Sequence, residues 1–290
     1  MALSCNEAVS PFFIQLDRGA DAVHLRSSPM ERNVIAEVRH HCRVIGALFM
    51  REIMTRYGRD GLGFIWIVGE PLLFCLGVMG MWTLIKPEYE HGIRIAPFIM
   101  TGYMSLILFR HIVSHNITAL QANAGLMYHR RVRPLHIFVS RTLVEWSGST
   151  IAFVIVYVML YILGMVSVPE NFLLLYFAWT VLGFLSFGFS LILSSLALMF
   201  DVMERVVPVF MYLMIPFSGA FVMVEWLPPS YQSYYLFIPM PHTVEMIRAS
   251  TFGEYVPTHF WPMYPVYWAV STTVLGLILL FIGRRRLEID

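Results

Sequence analysis

Between Asn171 and Phe200 the chain runs for thirty residues without one Asp, Glu, Lys or Arg. A bilayer's hydrocarbon core, about 30 Å thick, is crossed by roughly 20 apolar residues in a helix. Inside hydrocarbon every backbone donor and acceptor has to be satisfied within the protein, so an uncharged run of this length reads as a membrane-spanning helix. The composition agrees. Hydrophobic residues make up 58% of the 290 and charged ones 13%, well below the usual quarter of a soluble domain.

Five more stretches are apolar and long enough to span, at residues 62–84, 95–117, 137–168, 206–224 and 262–283, the first three with a few charged residues inside them, and with 172–200 they make six spans. Ahead of them, residues 1–33 form a polar tail expected in the cytoplasm. Residues 34–60 follow as a predicted amphipathic helix, and 61–290 as the transmembrane domain. Val34, Ile35, Val38, Cys42, Ile45, Leu48, Phe49, Ile53 and Tyr57 recur at steps of three and four, with arginines opposite them. That pattern suits a helix lying at the lipid interface, with a helix packed on a cytosolic surface as the alternative. The stretch 225–261 cannot span: it holds Pro228, Pro229, Pro239, Pro241 and Pro257 among many aromatics, and a short helix is expected at 242–252.

Arginine is unevenly distributed. Eight arginines precede the first span; Arg130, Arg131, Arg133, Arg205 and Arg284 to Arg286 fall on the same side if six spans are threaded, against Lys86, Arg94 and Arg248 opposite. The positive-inside bias puts both ends in the cytoplasm. The acidic N-terminal stretch lacks the core of a signal peptide. The only lysine, Lys86, follows MWTLI rather than a glycine-rich turn, so the chain carries no Walker motif for ATP. Cys5, Cys42 and Cys75 are too dispersed for a disulfide framework, the ten histidines are scattered, and no metal site is expected. With a net charge of +1, nothing suggests a nucleic acid partner.

Polar groups inside apolar spans are costly and mark candidate function. Trp66, Glu70, Arg110, His111, His115, Arg141 and Glu145 are the candidates for lining a path for a hydrated substrate. The alternative is structural: the arginines snorkel to the surface, or acids and arginines pair between helices. Arg51, Arg56, Tyr57 and Arg59 are candidates for holding lipid phosphate near the mouth of that path.

The order of motifs resembles the ABC-2 family of export permeases. Its features here are a basic amphipathic helix ending in Arg56-Tyr57, a polar turn over Gly58–Gly61, then Leu62-Gly63 with Trp66. A short polar link follows at Asp201–Arg205, and then a late PMPHTVEM box over Pro239–Met246. The likeness covers residues 34–286 and is nearest to the inner-membrane permeases of group 2 capsular polysaccharide exporters, with O-antigen and teichoic-acid exporters as sister groups. It implies an all-α membrane protein of six transmembrane helices, with an interfacial helix in front and short re-entrant periplasmic helices before the last span. It implies a transport subunit rather than an enzyme, a dimer of this chain in a bacterial inner membrane, and two copies of a separate ATPase that holds the ATP and Mg. A glycan substrate, membrane lipids, a periplasmic adaptor of the polysaccharide co-polymerase type and an outer-membrane channel are the further partners implied. A coupling helix at about 123–133 would seat on the ATPase through Leu126, Met127 and Tyr128, with Arg130, Arg131 and Arg133 in polar contact; positive-inside bias accounts for those arginines equally well. Residues 225–261 would form a periplasmic gate with Trp226, Tyr231, Tyr234, Tyr235, Phe237 and His242. A membrane-embedded glycosyl or lipid transferase and a scaffold subunit are the competing classes; the first needs a carboxylate or metal constellation that the sequence does not display.

Overall fold

Apolar helices this long bury their own backbone but leave side chains to be matched, and packing follows from which faces find partners. The computed structural model describes residues 29–57, 63–127, 132–253 and 256–287. In chain order the helices are α1 (Pro29–Tyr57), α2 (Gly63–Ile85), α3 (Ile95–Ile117), α4 (Ala119–Ala122), α5 (Ala124–Met127), α6 (Pro134–Ile162), α7 (Phe172–Met199), α8 (Val202–Phe217), α9 (Pro229–Tyr235), α10 (Pro239–Phe252) and α11 (Met263–Leu287). The chain divides into two units, Met1–His40 and His41–Asp290. Of the first, the described part is the opening of α1; everything below concerns the second.

Within that unit α3 is the central helix, with α2, α6 and α7 packed around it and α10 closing one end; α7 in turn packs along α11. Phe98, Ile99, Met100, Met104, Leu108 and Ile112 of α3 are fully enclosed. Small residues bring the helix backbones close together, the usual device where lipid offers no hydrophobic drive. A Cβ on Gly188 of α7 would stand 2.2 Å from Thr272 Oγ1 of α11, and one on Gly276 of α11 would stand 2.5 Å from the Leu191 Cβ. The Ser195 hydroxyl donates across the same seam to the Gly276 carbonyl at 3.4 Å.

Five of these helices, α2, α3, α6, α7 and α11, are long and apolar enough to cross a membrane. The expected span at 206–224 differs. α8 has 16 residues and stops at Phe217. At about 1.5 Å per residue that is roughly 24 Å, short of a bilayer core. Pro216 lies in its last turn, and Gly219 then takes φ 77°, the left-handed region that ends a helix. Residues 218–223 turn back into the protein, where Ala220 and Met223 are completely buried. α6 likewise ends at Ile162 rather than running to 168. Gly164 at φ 69° sends its N–H to the Tyr161 carbonyl and Met165 sends its own to Leu160, which is a Schellman motif.

Between α2 and α3 a two-residue-strand hairpin, β1 (Tyr89–Glu90) and β2 (Ile93–Arg94), turns at His91-Gly92 with φ of 52° and 81°. Two positive φ values in succession are what a type I′ hairpin requires. Lys86 Nζ closes onto Glu90 at 2.6 Å, and Arg94 reaches the Gly164 carbonyl at 2.5 Å, which ties the hairpin to the end of α6.

The tightness of the α7–α11 seam is checked by replacing Gly188 with Val. Overpacking costs about 1–3 kcal/mol in a well-packed core; the variant is expected to melt lower in detergent and accumulate less. Gly80→Ala on α2, where a Cβ meets nothing within 4 Å, is expected to be neutral or slightly stabilising in the same assay.

Candidate functional site

Where α3 ends and α6 begins, charged side chains from four helices meet. Glu145 of α6 points its carboxylate between two histidines of α3, with Oε1 3.0 Å from His115 Nδ1 and Oε2 3.6 Å from His111 Nδ1. Helical spacing explains this: residues four apart on α3 stand one above the other, and their rings lie 5.6 Å apart, edge to face. Glu70 of α2 lies near enough to His111 for their charges to interact. One turn back on α6, Arg141 Nε is 3.0 Å from Glu52 Oε1 of α1, and both side chains are more than nine-tenths buried. Arg141 also donates from Nη1 to the His115 carbonyl at 2.8 Å, which satisfies an acceptor left over in the last turn of α3. Asn116 donates to Thr142 and Ser190, both at 3.0 Å, and so joins α3 to α6 and α7.

Arg110 stands apart from these pairs. It is half-buried, its guanidinium lies over the Tyr212 ring of α8 at 5.1 Å, and among the described residues no carboxylate is at ion-pair distance from it. A cation resting on an aromatic face keeps its full charge available to an anion. Trp66, by contrast, is more than half exposed on the outer surface of α2, so it does not join the cluster. Of the seven path candidates, the structure therefore gathers Glu70, Arg110, His111, His115, Arg141 and Glu145 at one end of the bundle; the charge of Arg141 is met by Glu52, and Glu145 lies against two imidazoles.

Of the residues expected to hold lipid phosphate, Arg51 donates instead to Asn123 Oδ1 at 2.9 Å. The side chains of Arg56 and Tyr57, and all of Arg59, lie outside the described residues. The expected helix at 123–133 is corrected in part. α4 and α5 occupy 119–127, Asn123 is the turn between them, Val132 lies outside any helix and Arg133 is extended. Pro134 is the first residue of α6, and a residue preceding proline is pushed out of the helical region. Leu126 and Met127 are half-buried, with Met127 packed against the cluster of Leu120, Ile137 and Phe138, while Arg133 is exposed. Tyr128, Arg130 and Arg131 lie outside the described residues.

At the other end of the bundle, the proline-rich segment is held by a charge that the sequence reading passed over. Arg248 of α10 is fully buried: Nη2 donates to the Ala220 carbonyl at 2.7 Å, Nη1 to Val222 at 3.3 Å, and the guanidinium lies 4.2 Å from the Phe98 ring centre. Glu245, one turn earlier, lies 3.6 Å from it and accepts the N–H groups of Val224 and His259 at 3.3 Å each. Burial pushes the Glu245 carboxyl above its ordinary range, while Arg248 and the two N–H groups oppose that shift. Gly102 of α3 makes room here; a Cβ would stand 2.0 Å from the Ala220 carbonyl oxygen.

The six expected gate residues divide. Trp226 is stacked on His91 of the hairpin at 4.7 Å and packed on Phe98 at 4.8 Å. The Tyr235 hydroxyl accepts from the Gly219 N–H and donates to the Pro216 carbonyl, both at 2.9 Å. Tyr231, Tyr234 and Phe237 stay largely exposed on and beside α9. His242 Nδ1 accepts the Trp261 N–H at 2.9 Å, so its remaining proton is on Nε2, which donates to the Leu236 carbonyl at 2.8 Å. Burial holds its pKa below the usual 6.5, with the Leu236 bond opposing.

The missed residues had a signal. Glu52 falls three and four places after Phe49 and Leu48, on the apolar stripe of its helix, where a carboxylate needs a buried partner. Glu245 and Arg248 are three apart on one helix in a stretch with few charges. Among the described residues no group of three His, Cys, Asp or Glu side chains is arranged to hold a metal ion.

The lowered pKa of His242 fixes a sign. Its neutral form stabilises the fold fully above pH 6.5, and the contribution is lost as pH falls from 6.5 through the lower folded value, where the unfolded chain takes up the proton first. The melting temperature in detergent is expected to fall from pH 7.5 to 5.5 and to fall less in His242→Gln. Removing Arg248 by Arg248→Met leaves Glu245 buried without its cation; an unpaired buried charge costs about 3–5 kcal/mol, so that variant is expected to melt far below wild type.

The family description "ABC-2 type transporter" matches residues 43–252. A capsule polysaccharide export inner-membrane protein, CtrC, of Neisseria meningitidis serogroup A is 39% identical over 235 residues, covering 81% of this chain and 89% of its own length. A protein of the same description, BexB, from Haemophilus influenzae is 35% identical over 237 residues, 82% and 89% of the two chains. The polysialic acid transport protein KpsM of Escherichia coli is 30% identical over 239 residues, 81% and 91%.

Proposed function

The chain belongs to the ABC-2 type transporter family, and on that footing we propose that it is the permease subunit of an ATP-binding cassette exporter that moves capsular polysaccharide across the bacterial inner membrane. The observation that carries this reading is the 39% identity with a capsule polysaccharide export inner-membrane protein across nine-tenths of that protein's length. Substrates of O-antigen or teichoic-acid type are the nearest alternatives.

In this reading two copies of the chain enclose the path and two copies of a separate ATPase supply the energy, binding ATP and Mg themselves. α2 and α11 leave most of their apolar surface uncovered by their own chain, 22% and 28% of the spanning windows being buried against 83% for α3, which supports a second copy or lipid beside them. Both ends lie in the cytoplasm, as the arginine distribution supports, with α8 making the sixth crossing as a short span over which the bilayer thins. The segment from Ala119 to Arg133 then faces the ATPase, with Leu126, Met127 and Tyr128 as apolar contacts and Arg130, Arg131 and Arg133 as polar ones. Residues 225–261 form the periplasmic gate, where an adaptor leading to an outer-membrane channel would receive the polymer.

The cluster at the cytoplasmic end is the mouth of the path. Arg110 is its most useful group, since it is charged, half-exposed and, among the described residues, without a carboxylate at ion-pair distance. An acidic sugar or a phosphate-bearing terminus entering there meets a cation over an aromatic ring rather than bare hydrocarbon, where unsatisfied polar groups are expensive. Trp66 faces outward toward lipid or the second copy.

Cells lacking the chain are expected to lose surface glycan and to accumulate it inside, read by surface labelling and by fractionation; unchanged surface glycan would refute the proposal. Arg110→Glu is expected to lower surface glycan about tenfold or more at normal protein levels, on the scale set by loss of one charged contact. Leu126→Ala with Met127→Ala is expected to weaken co-purification of the ATPase.

A further inference from the structure

Neighbouring residues of α1 reach into different parts of the bundle. Arg51 bonds Asn123 at 2.9 Å, and Asn123 in turn donates to the Ala119 carbonyl at 2.8 Å, so the grip falls on the turn between α4 and α5. Glu52 pairs with Arg141 at 3.0 Å, and through Arg141 with the last turn of α3. Further back along α1, His41 Nδ1 is 2.9 Å from His136 Nε2 in the first turn of α6. The chain between α3 and α6 is thus held at its middle by one residue of α1, while the helices on either side of it are held by the next.

Lipid anchoring does not account for this. A helix floating at the interface puts cations on its polar face and apolar side chains below; Glu52 is an anion on the apolar face, 6% exposed. Nor do α4 and α5 account for rigidity, since helices of four residues have no cooperative stability of their own. A push on such a segment would bend it rather than move the spans. A buried ion pair behaves differently, because sliding it apart leaves two uncompensated charges in an apolar setting.

We infer that Arg51 and Glu52 are positioning residues that make α1 a brace, passing displacement of the α4–α5 segment into α3 and α6. This rests on the proposed seating of an ATPase on that segment. With the brace intact, movement at 119–127 is shared by both spans; without it, hydrolysis continues while the spans stay behind.

The full chain with its co-expressed ATPase is tested in cells and after purification. Glu52→Gln and Arg51→Gln are each expected to retain the ATPase and keep basal hydrolysis within about twofold of wild type, while surface glycan falls about tenfold, a size typical of lost coupling. Glu52→Asp, which keeps a carboxylate opposite Arg141 and leaves the Arg141–His115 bond alone, is expected to hold export within about threefold of wild type, so that loss of the charge rather than any change at this position is what uncouples. If Glu52→Gln fails to accumulate, Arg51→Gln, which leaves the buried pair alone, decides the matter by the same split. Export at wild-type levels in the accumulating variants would overturn the inference while leaving the proposed function intact. So would ATP hydrolysis and export declining in step. A wild-type chain that retains no ATPase would remove both.

Discussion

A charge drawn into an apolar helical bundle has to find its counter-charge there, and that requirement organises this protein. At one end Glu52, Glu70, His111, His115, Arg141 and Glu145 come from four helices, and the close contacts among them run mainly between helices rather than along them. At the other end Arg248 is enclosed by two carbonyls, a carboxylate and the face of Phe98. Neither group gains much over a well-packed apolar substitute, because desolvation offsets most of the attraction. What both achieve is register: a helix that slips leaves a bare charge behind.

Register matters differently at the two ends. The Arg248 site holds backbone that is not regular, the turn at 218–223 and the loop before α11, in a fixed path around α10. Irregular buried backbone is tolerated only where its donors and acceptors are satisfied, and Glu245 and Arg248 supply partners for that purpose. The Glu52–Arg141 end instead joins a helix outside the spans to two that belong to them. One arrangement closes the bundle around irregular backbone, and the other ties α1 to it through a buried ion pair.

Much of this was legible in the residues. Long uncharged runs admit hardly any structure but a helix, which is why α3 and α7 could be read from hydropathy alone. Boundaries set by local backbone chemistry were harder. The run at 206–224 is apolar throughout, and only Pro216 and the left-handed Gly219 show that it turns back at Phe217. The family resemblance implied a helix running through Arg133, whereas Pro134 makes that residue extended. For the site, the sequence exposed which spans carry polar groups and not how they pair. That Arg141 is answered by Glu52 depends on side chains of α1 and α6 reaching each other from residues 89 places apart, and no local pattern encodes it. Arg110 and Tyr212 are brought together in the same way by α3 and α8.

The central claim is that this chain forms the conduit and borrows its driving force. The most direct measurement is translocation in proteoliposomes holding the purified chain and its ATPase, with ATP and labelled capsular polysaccharide outside. The account predicts ATP-dependent arrival of polymer in the lumen, absent when either subunit is left out. Polymer that enters without the ATPase, or never enters although both subunits are bound and ATP is hydrolysed, would contradict it.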